Sequence, residues 1–270
     1  DGLVASPVRV AVVQCDPKVG VENLERNLHA AQSHLEAAAR QGAKLVVLPE
    51  LVTTGYCFTG RDEAFAHSET IPDGRAVSSW VAIAAKHDIY IVGCIVERDE
   101  DRIYDTAVLI GPKGYIGRYR KTHLWNNEKL WFTPGDEGFP VFDTPIGRIG
   151  LLVCWDIWFP ETTRIVAQQG ADIICLPTNW VWTPPPLYDA SGVCMAAYLT
   201  ITAAHANNVF IAAADRVGQE RGADLEPEQR PAPRSAHRPV RPAARLRRRP
   251  RAAAIASLRA WQGAHSYDRR

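Results

Sequence analysis

Residues 148–161 read RIGLLVCWDIWFPE. The run from Arg148 to Val153 is short and apolar, which fits a buried strand, and it delivers Cys154 at its end. Pro160 suits the first turn of a following helix, where its fixed φ is already helical and its missing N–H would have gone unpaired. That helix is predicted to run to Gln169, and ADIICL, from Ala171 to Leu176, reads as the next buried strand. Upstream, Val141 to Asp143 forms a hairpin with Arg148 to Val153 around Pro145 to Gly147. Strands and helices alternating in this way imply a layered α/β fold, with sheets buried against helices.

The alternation extends outward in both directions. Val8 to Val13 reads as a strand, followed by a turn from Asp16-Pro17 to Gly20. Leu24, Leu28, Ala31, Leu35 and Ala38 recur at helical spacing, with Asn23 as N-cap and Gly42 as stop. Ala43 to Leu48 is then a strand that carries Glu50 at its C-terminal end. A helix over Val77 to His87 precedes strands at Ile89 to Val96 and Tyr104 to Ile110. The turn Gly111-Pro112-Lys113-Gly114 leads into Tyr115 to Arg120, which ends at Lys121. Beyond residue 176, Tyr188 to Ala206 reads as a helix and Asn208 to Ala214 as a strand.

With 270 residues, 46% hydrophobic and 23% charged, the chain has ordinary globular composition and enough length for one large core. No apolar run approaches the roughly 20 residues of a membrane-spanning helix, so no membrane partner is expected. Cys15, Cys57, Cys94, Cys154, Cys175 and Cys194 are scattered, without the spacings of a zinc site or a disulfide scaffold. Reduced thiols and a cytoplasmic location are the expectation. The net charge of +1 hides an asymmetry: residues 219–270 hold thirteen arginines, no lysine and five acidic residues, a net of +8 against −7 for residues 1–218.

Three predicted strand ends each present one reactive side chain: Glu50 in VVLPELVTTGY, Lys121 in GRYRKTHLW and Cys154 in IGLLVCWDIWFPE. Active sites of open α/β sheets gather at strand C-termini. Alone, each residue says little, because a cysteine after an apolar strand is usually a small core residue and a charged strand end is usually solvated. Together they have a chemistry. A thiolate attacks an amide carbonyl better than water does, a carboxylate can take the thiol proton, and an ammonium can stabilise the developing oxyanion. The chain has no G-x-S-x-G elbow, no Walker loop and no H-E-x-x-H helix.

The order and spacing of LPEL, RKTHL, PGD and CWDIWFPE resemble the nitrilase or carbon-nitrogen hydrolase superfamily over about residues 7–218. The resemblance implies a four-layer α-β-β-α sandwich and a catalytic set of Glu50, Lys121 and Cys154. It gives Glu128, in LWNNEKLWFTPGD, the place of a second glutamate that supports the lysine. Lys121 and the Trp155 backbone N–H are expected to form the oxyanion hole. The helix from Pro160 and the Lys121 charge are expected to favour the Cys154 thiolate. Tyr56, Trp155, Asn179 and Trp180 are expected to line the substrate pocket, and His123 is read as structural.

Asp156, two residues after the cysteine, and the FPE segment look like amidases and N-carbamoyl amine hydrolases rather than nitrilases. The reading is therefore hydrolysis of a small amide to a carboxylic acid and ammonia, with no metal or organic cofactor. An N-carbamoyl amine hydrolase or a nitrilase is the alternative within the family. An inactive interaction protein of the same fold is the alternative outside it. By resemblance a homodimer is expected.

The division expected is a hydrolase domain over residues 1–218 and an Arg/Pro/Ala-rich segment over 219–270. Where the family continues with further sandwich strands, this chain runs into Arg247-Arg248-Arg249-Pro250-Arg251. That composition is what a GC-rich gene read in the wrong frame would give. The segment lacks the aromatic interleaving of a nucleic-acid-binding arm, and no nucleic-acid partner is assigned. A short helix over Ala253 to Trp261 is the only element suggested there.

Overall fold

A computed structural model describes residues 7–180, 189, 193–221 and 223–224. The first sheet has five strands in sequence order: β1 Val10–Val12, β2 Leu45–Val47, β3 Tyr90–Asp99, β4 Arg102–Gly111 and β5 Gly114–Arg120. β1, β2 and β3 are parallel, whereas β3, β4 and β5 are antiparallel. The second sheet has four: β6 Val141–Thr144, β7 Gly147–Leu151, β8 Ile173–Thr178 and β9 Phe210–Asp215. Here β6 is antiparallel to β7, and β7, β8 and β9 are parallel.

Side-chain alternation assigns the faces of the first sheet, since successive residues of a strand point to opposite sides. Val46, Ile91, Ile95, Val108 and Ile110 pack with helices α1 Leu24–Arg40 and α3 Arg75–His87, burying Leu28, Leu35, Val77 and Trp80. Leu45, Val47, Val92, Cys94, Ala107 and Leu109 turn the other way and pack against Ile149, Leu151, Ile173 and Cys175 of the second sheet. Helices α5 Pro160–Gln168 and α6 Met195–Asn207 belong to the layer beyond. α5 lies so close to β7 that a Cβ on Gly150 would fall 2.3 Å from Val166 Cγ1. The result is the four-layer α-β-β-α sandwich. Both faces of the inner strands are apolar, which is why they read as continuous runs.

The remaining elements are short: α2 Arg61–Ala66, α4 Glu128–Trp131, 3-10 turns at Val21–Asn23 and Cys154–Trp158, and a hairpin of β10 Gln219–Glu220 with β11 Ala223–Asp224. The α1 register matches its apolar spacing, and Asn23 occupies the N-cap position without a side-chain capping bond. Its amide donates to the Val19 carbonyl instead. One predicted start is wrong. The last helix begins at Met195 rather than near Tyr188; ahead of it Asp189 and Val193 bond each other through backbone and through the Asp189 carboxylate, and such local side-chain bonds compete with a helix. Residues 181–188 and the segment from 225 onward, with its suggested helix at Ala253 to Trp261, lie outside the described residues.

Candidate active site

The two sheets meet at the site through backbone: the Glu50 N–H donates to the Thr178 carbonyl at 3.3 Å. Glu50 lies three residues past β2, Lys121 directly follows β5, and Cys154 lies three residues past β7. All three side chains are buried, Glu50 and Lys121 almost completely. Lys121 Nζ donates to Glu50 Oε1 at 2.6 Å and to Glu128 Oε1 at 2.8 Å, and it lies 3.4 Å from Asp105 Oδ2. The Tyr56 hydroxyl donates to the same Glu128 oxygen, and the Trp125 N–H donates to Glu128 Oε2 at 2.8 Å. Glu128 is thus a buried partner of the lysine.

Three carboxylates around one ammonium cannot all ionise cheaply in a site closed to water. Burial, with contributions from the Asp105 and Glu128 charges, holds the Glu50 carboxyl well above its ordinary range although Lys121 opposes it. Glu128 is raised for the same leading reason. The Lys121 ammonium stays charged, because Glu128, Glu50 and Asp105 together outweigh its own desolvation. The oxygens of Glu50, Asp105 and Glu128 lie within 4.8 Å of one another, a donor set able to hold a cation. Lys121 Nζ already bonds or faces all three, so the ammonium supplies their counter-charge.

Cys154 begins its 3-10 turn at φ 41, a left-handed conformation that costs a non-glycine residue of order 1–3 kcal/mol and recurs at functional sites. Asp156 holds the turn. Its Oδ2 accepts from the Val153 N–H at 3.0 Å and the Tyr119 hydroxyl at 2.9 Å, and its Oδ1 lies 2.7 Å from His123 Nδ1. His123 stacks on Phe159 with centroids 3.8 Å apart. One buried aspartate therefore ties the cysteine turn to the strand end that carries Lys121.

Lys121 favours the Cys154 thiolate in the expected direction, but other influences outweigh it. Burial is the largest influence on Cys154 and the Glu50 charge the next, and together they push the thiol well above its ordinary range despite Lys121 and a backbone N–H from Asn179. A neutral thiol beside a high-affinity carboxylate is the resting arrangement.

Of the pocket residues expected from sequence, Tyr56 meets the cluster through Glu128, and Asn179 meets Cys154 through its backbone. Among the described residues, both polar atoms of the Asn179 side chain, and Trp180 Nε1, are buried without a hydrogen-bond partner. Trp155 stacks on Trp158 at 4.5 Å and lies 6.3 Å from Trp125. Asp105 is absent from the sequence expectations, and Asp156 enters them as a mark of the amidase branch without a structural role. A lone aspartate inside the apolar strand IYDTAVLI was the available signal for Asp105, because a charge buried in a central strand must have a partner.

The carboxylate–ammonium–thiol cluster thus lies buried at the strand ends of an α-β-β-α sandwich, and sequence comparison gives the family. The carbon-nitrogen hydrolase family matches residues 9–236. A nitrilase of Pyrococcus abyssi is 41% identical over 215 residues, covering 80% of this chain and 77% of that protein. A citrullinase of Francisella tularensis is 36% identical over 177 residues, covering 63% of this chain and 61% of its own length. The crystal structure of an amidase from Nesterenkonia sp. superposes with a TM-score of 0.65 at 26% identity, covering 83% of this chain and 82% of that one. The chain belongs to the carbon-nitrogen hydrolase family.

Proposed function

We propose that the protein hydrolyses the C–N bond of a small amide, with Cys154 as nucleophile, Glu50 as proton carrier and Lys121 as the oxyanion's counter-charge. The observation that carries this reading is the 2.6 Å bond between Glu50 and Lys121 in a closed site whose charges act directly on Cys154. Cys154 Sγ attacks the carbonyl carbon while its proton passes to Glu50. The oxyanion is met by the Lys121 ammonium and the Trp155 N–H. Glu50 returns the proton to nitrogen, the C–N bond breaks, and ammonia leaves a thioester on Cys154. Water then attacks the thioester carbonyl, giving a proton to Glu50; the C–S bond breaks, the thiol regains a proton, and the carboxylic acid departs.

A carboxyl of raised proton affinity suits a group that must accept and return a proton in each half of the cycle. Glu128 and Tyr56 hold Lys121 in place. The Asn179 side chain and the Trp180 indole, without hydrogen-bond partners among the described residues, are assigned to the substrate's polar groups, since buried polar atoms without partners are costly until a ligand satisfies them. The three relatives carry three different substrate names, so the acyl group is left to experiment. Wild type and Cys154→Ala, given a panel of amides, N-carbamoyl amines and nitriles, are compared for ammonia release. Release by wild type alone supports the reading, and the preferred compound names the branch. A folded wild type that releases nothing favours the inactive interaction protein.

Assembly as a homodimer is proposed through α5 and α6, where Ile165, Met195, Tyr198 and Ile201 are exposed.

A further inference from the structure

Glu220 lies only six residues beyond Ala214, where the strand predictions end, yet its carboxylate is among the most heavily bonded of the described residues. It is 2% exposed. Oε1 accepts from the Val19 N–H at 2.6 Å, and Oε2 accepts from the Tyr56 and Cys57 N–H groups, both at 2.8 Å. Arg216, fully buried, donates Nη1 to Oε2 at 3.0 Å and Nη2 to the Pro17 carbonyl at 2.5 Å. Gly55, at φ +75, leaves the space: a Cβ there would fall 2.3 Å from Glu220 Oε1 and 2.5 Å from the Val19 nitrogen. One carboxylate thus pins two loops that strand pairing does not reach.

The Tyr56 backbone is what this carboxylate holds, and the Tyr56 hydroxyl is what touches the site, through Glu128 Oε1 and thence Lys121 Nζ. We propose that Glu220 is a positioning residue of the active site: it fixes the Tyr56 backbone so that the hydroxyl stays on Glu128 and Glu128 stays on the catalytic ammonium. The inference rests on the hydrolase reading for its kinetic consequence and on geometry alone for the coupling. It also makes the first residues after Gly218 part of the catalytic unit.

The test is a double-mutant cycle of wild type, Glu220→Gln, Tyr56→Phe and the double variant, with kcat measured on whichever amide the wild type turns over. Glu220→Gln is chosen over alanine because it keeps the volume while removing the charge that strengthens all of these bonds, and its NH2 must face either the Val19 N–H or the Tyr56 and Cys57 N–H groups, donor against donor. Each single change is expected to lower kcat on the order of ten- to a hundredfold, the scale of a small misplacement of a catalytic group. The double variant is expected to be no slower than the worse single, because both act through one contact. Multiplying losses would overturn the proposal, as would a Glu220→Gln enzyme with wild-type kcat. The rate of Cys154 alkylation by acrylamide, followed by intact mass in the same four proteins, gives a second cycle. That cycle decides the coupling even if no amide is hydrolysed and the hydrolase reading fails.

Discussion

Lys121 Nζ and Glu50 Oε1 sit 2.6 Å apart with both side chains closed to solvent. Opposite charges so placed gain strongly from each other, and breaking such a pair by removing one partner commonly costs about 3–5 kcal/mol. Lys121→Met is therefore predicted to abolish activity and to destabilise the fold on that scale, since Glu50, Asp105 and Glu128 would lose their shared counter-charge. Urea unfolding gives the number, and a loss under about 1 kcal/mol would contradict the electrostatic account.

Glu50 also ties stability to pH. Its folded proton affinity is raised above that of the unfolded chain, chiefly by burial. The stability it contributes is therefore complete below the unfolded carboxyl range, near pH 4.3, and is lost as pH rises toward its folded value. Glu50→Gln removes that titration. The variant is predicted to be inactive, and its melting temperature should fall less than wild type's between about pH 5 and pH 8. Parallel curves would count against a raised Glu50.

The Cys154 thiol is held protonated at rest, by burial first and Glu50 second. Thiolate ultraviolet absorbance should not differ between wild type and Cys154→Ala at neutral pH. A difference at neutral pH would show a preformed thiolate and move the base role of Glu50 to a later step.

Asp156→Ala removes the acceptor for the Val153 N–H, the Tyr119 hydroxyl and His123. With several partners left unsatisfied, a loss of about 2–4 kcal/mol is expected, together with slower turnover as the Cys154 turn relaxes. Asp156→Asn keeps the shape and an acceptor oxygen, and should restore part of both. Equal damage from the two variants would show that charge, not geometry, is what Asp156 supplies.

Tyr198 and Ile201 lie exposed on α6. If that face joins two copies, Ile201→Glu is predicted to convert a dimer to a monomer in sedimentation while circular dichroism stays unchanged. A monomeric wild type would contradict the proposed interface.

What the sequence revealed follows from what local pattern can carry. The spacing of Leu24, Leu28, Ala31, Leu35 and Ala38 is a short-range signal, and α1 follows it. Glu50, Lys121 and Cys154 each follow a strand, which alone says little, and the order and spacing of the motifs around them is what marks them as a set. Asp105 was not, because its meaning depends on Lys121 across the β4–β5 pair. Glu220 was beyond reach, since its partner Tyr56 stands 164 residues away in a loop with no periodicity. The start of α6 differs from its spacing because the Asp189 carboxylate bonds the Val193 N–H ahead of it, a contact periodicity does not carry.

The most direct test of the central claim is rapid-quench intact-mass analysis of wild type and Cys154→Ala mixed with the amide that wild type hydrolyses fastest. The account predicts a wild-type species heavier by the acyl group, formed before steady state and absent from Cys154→Ala, which releases no ammonia. Undiminished ammonia release by Cys154→Ala would contradict it.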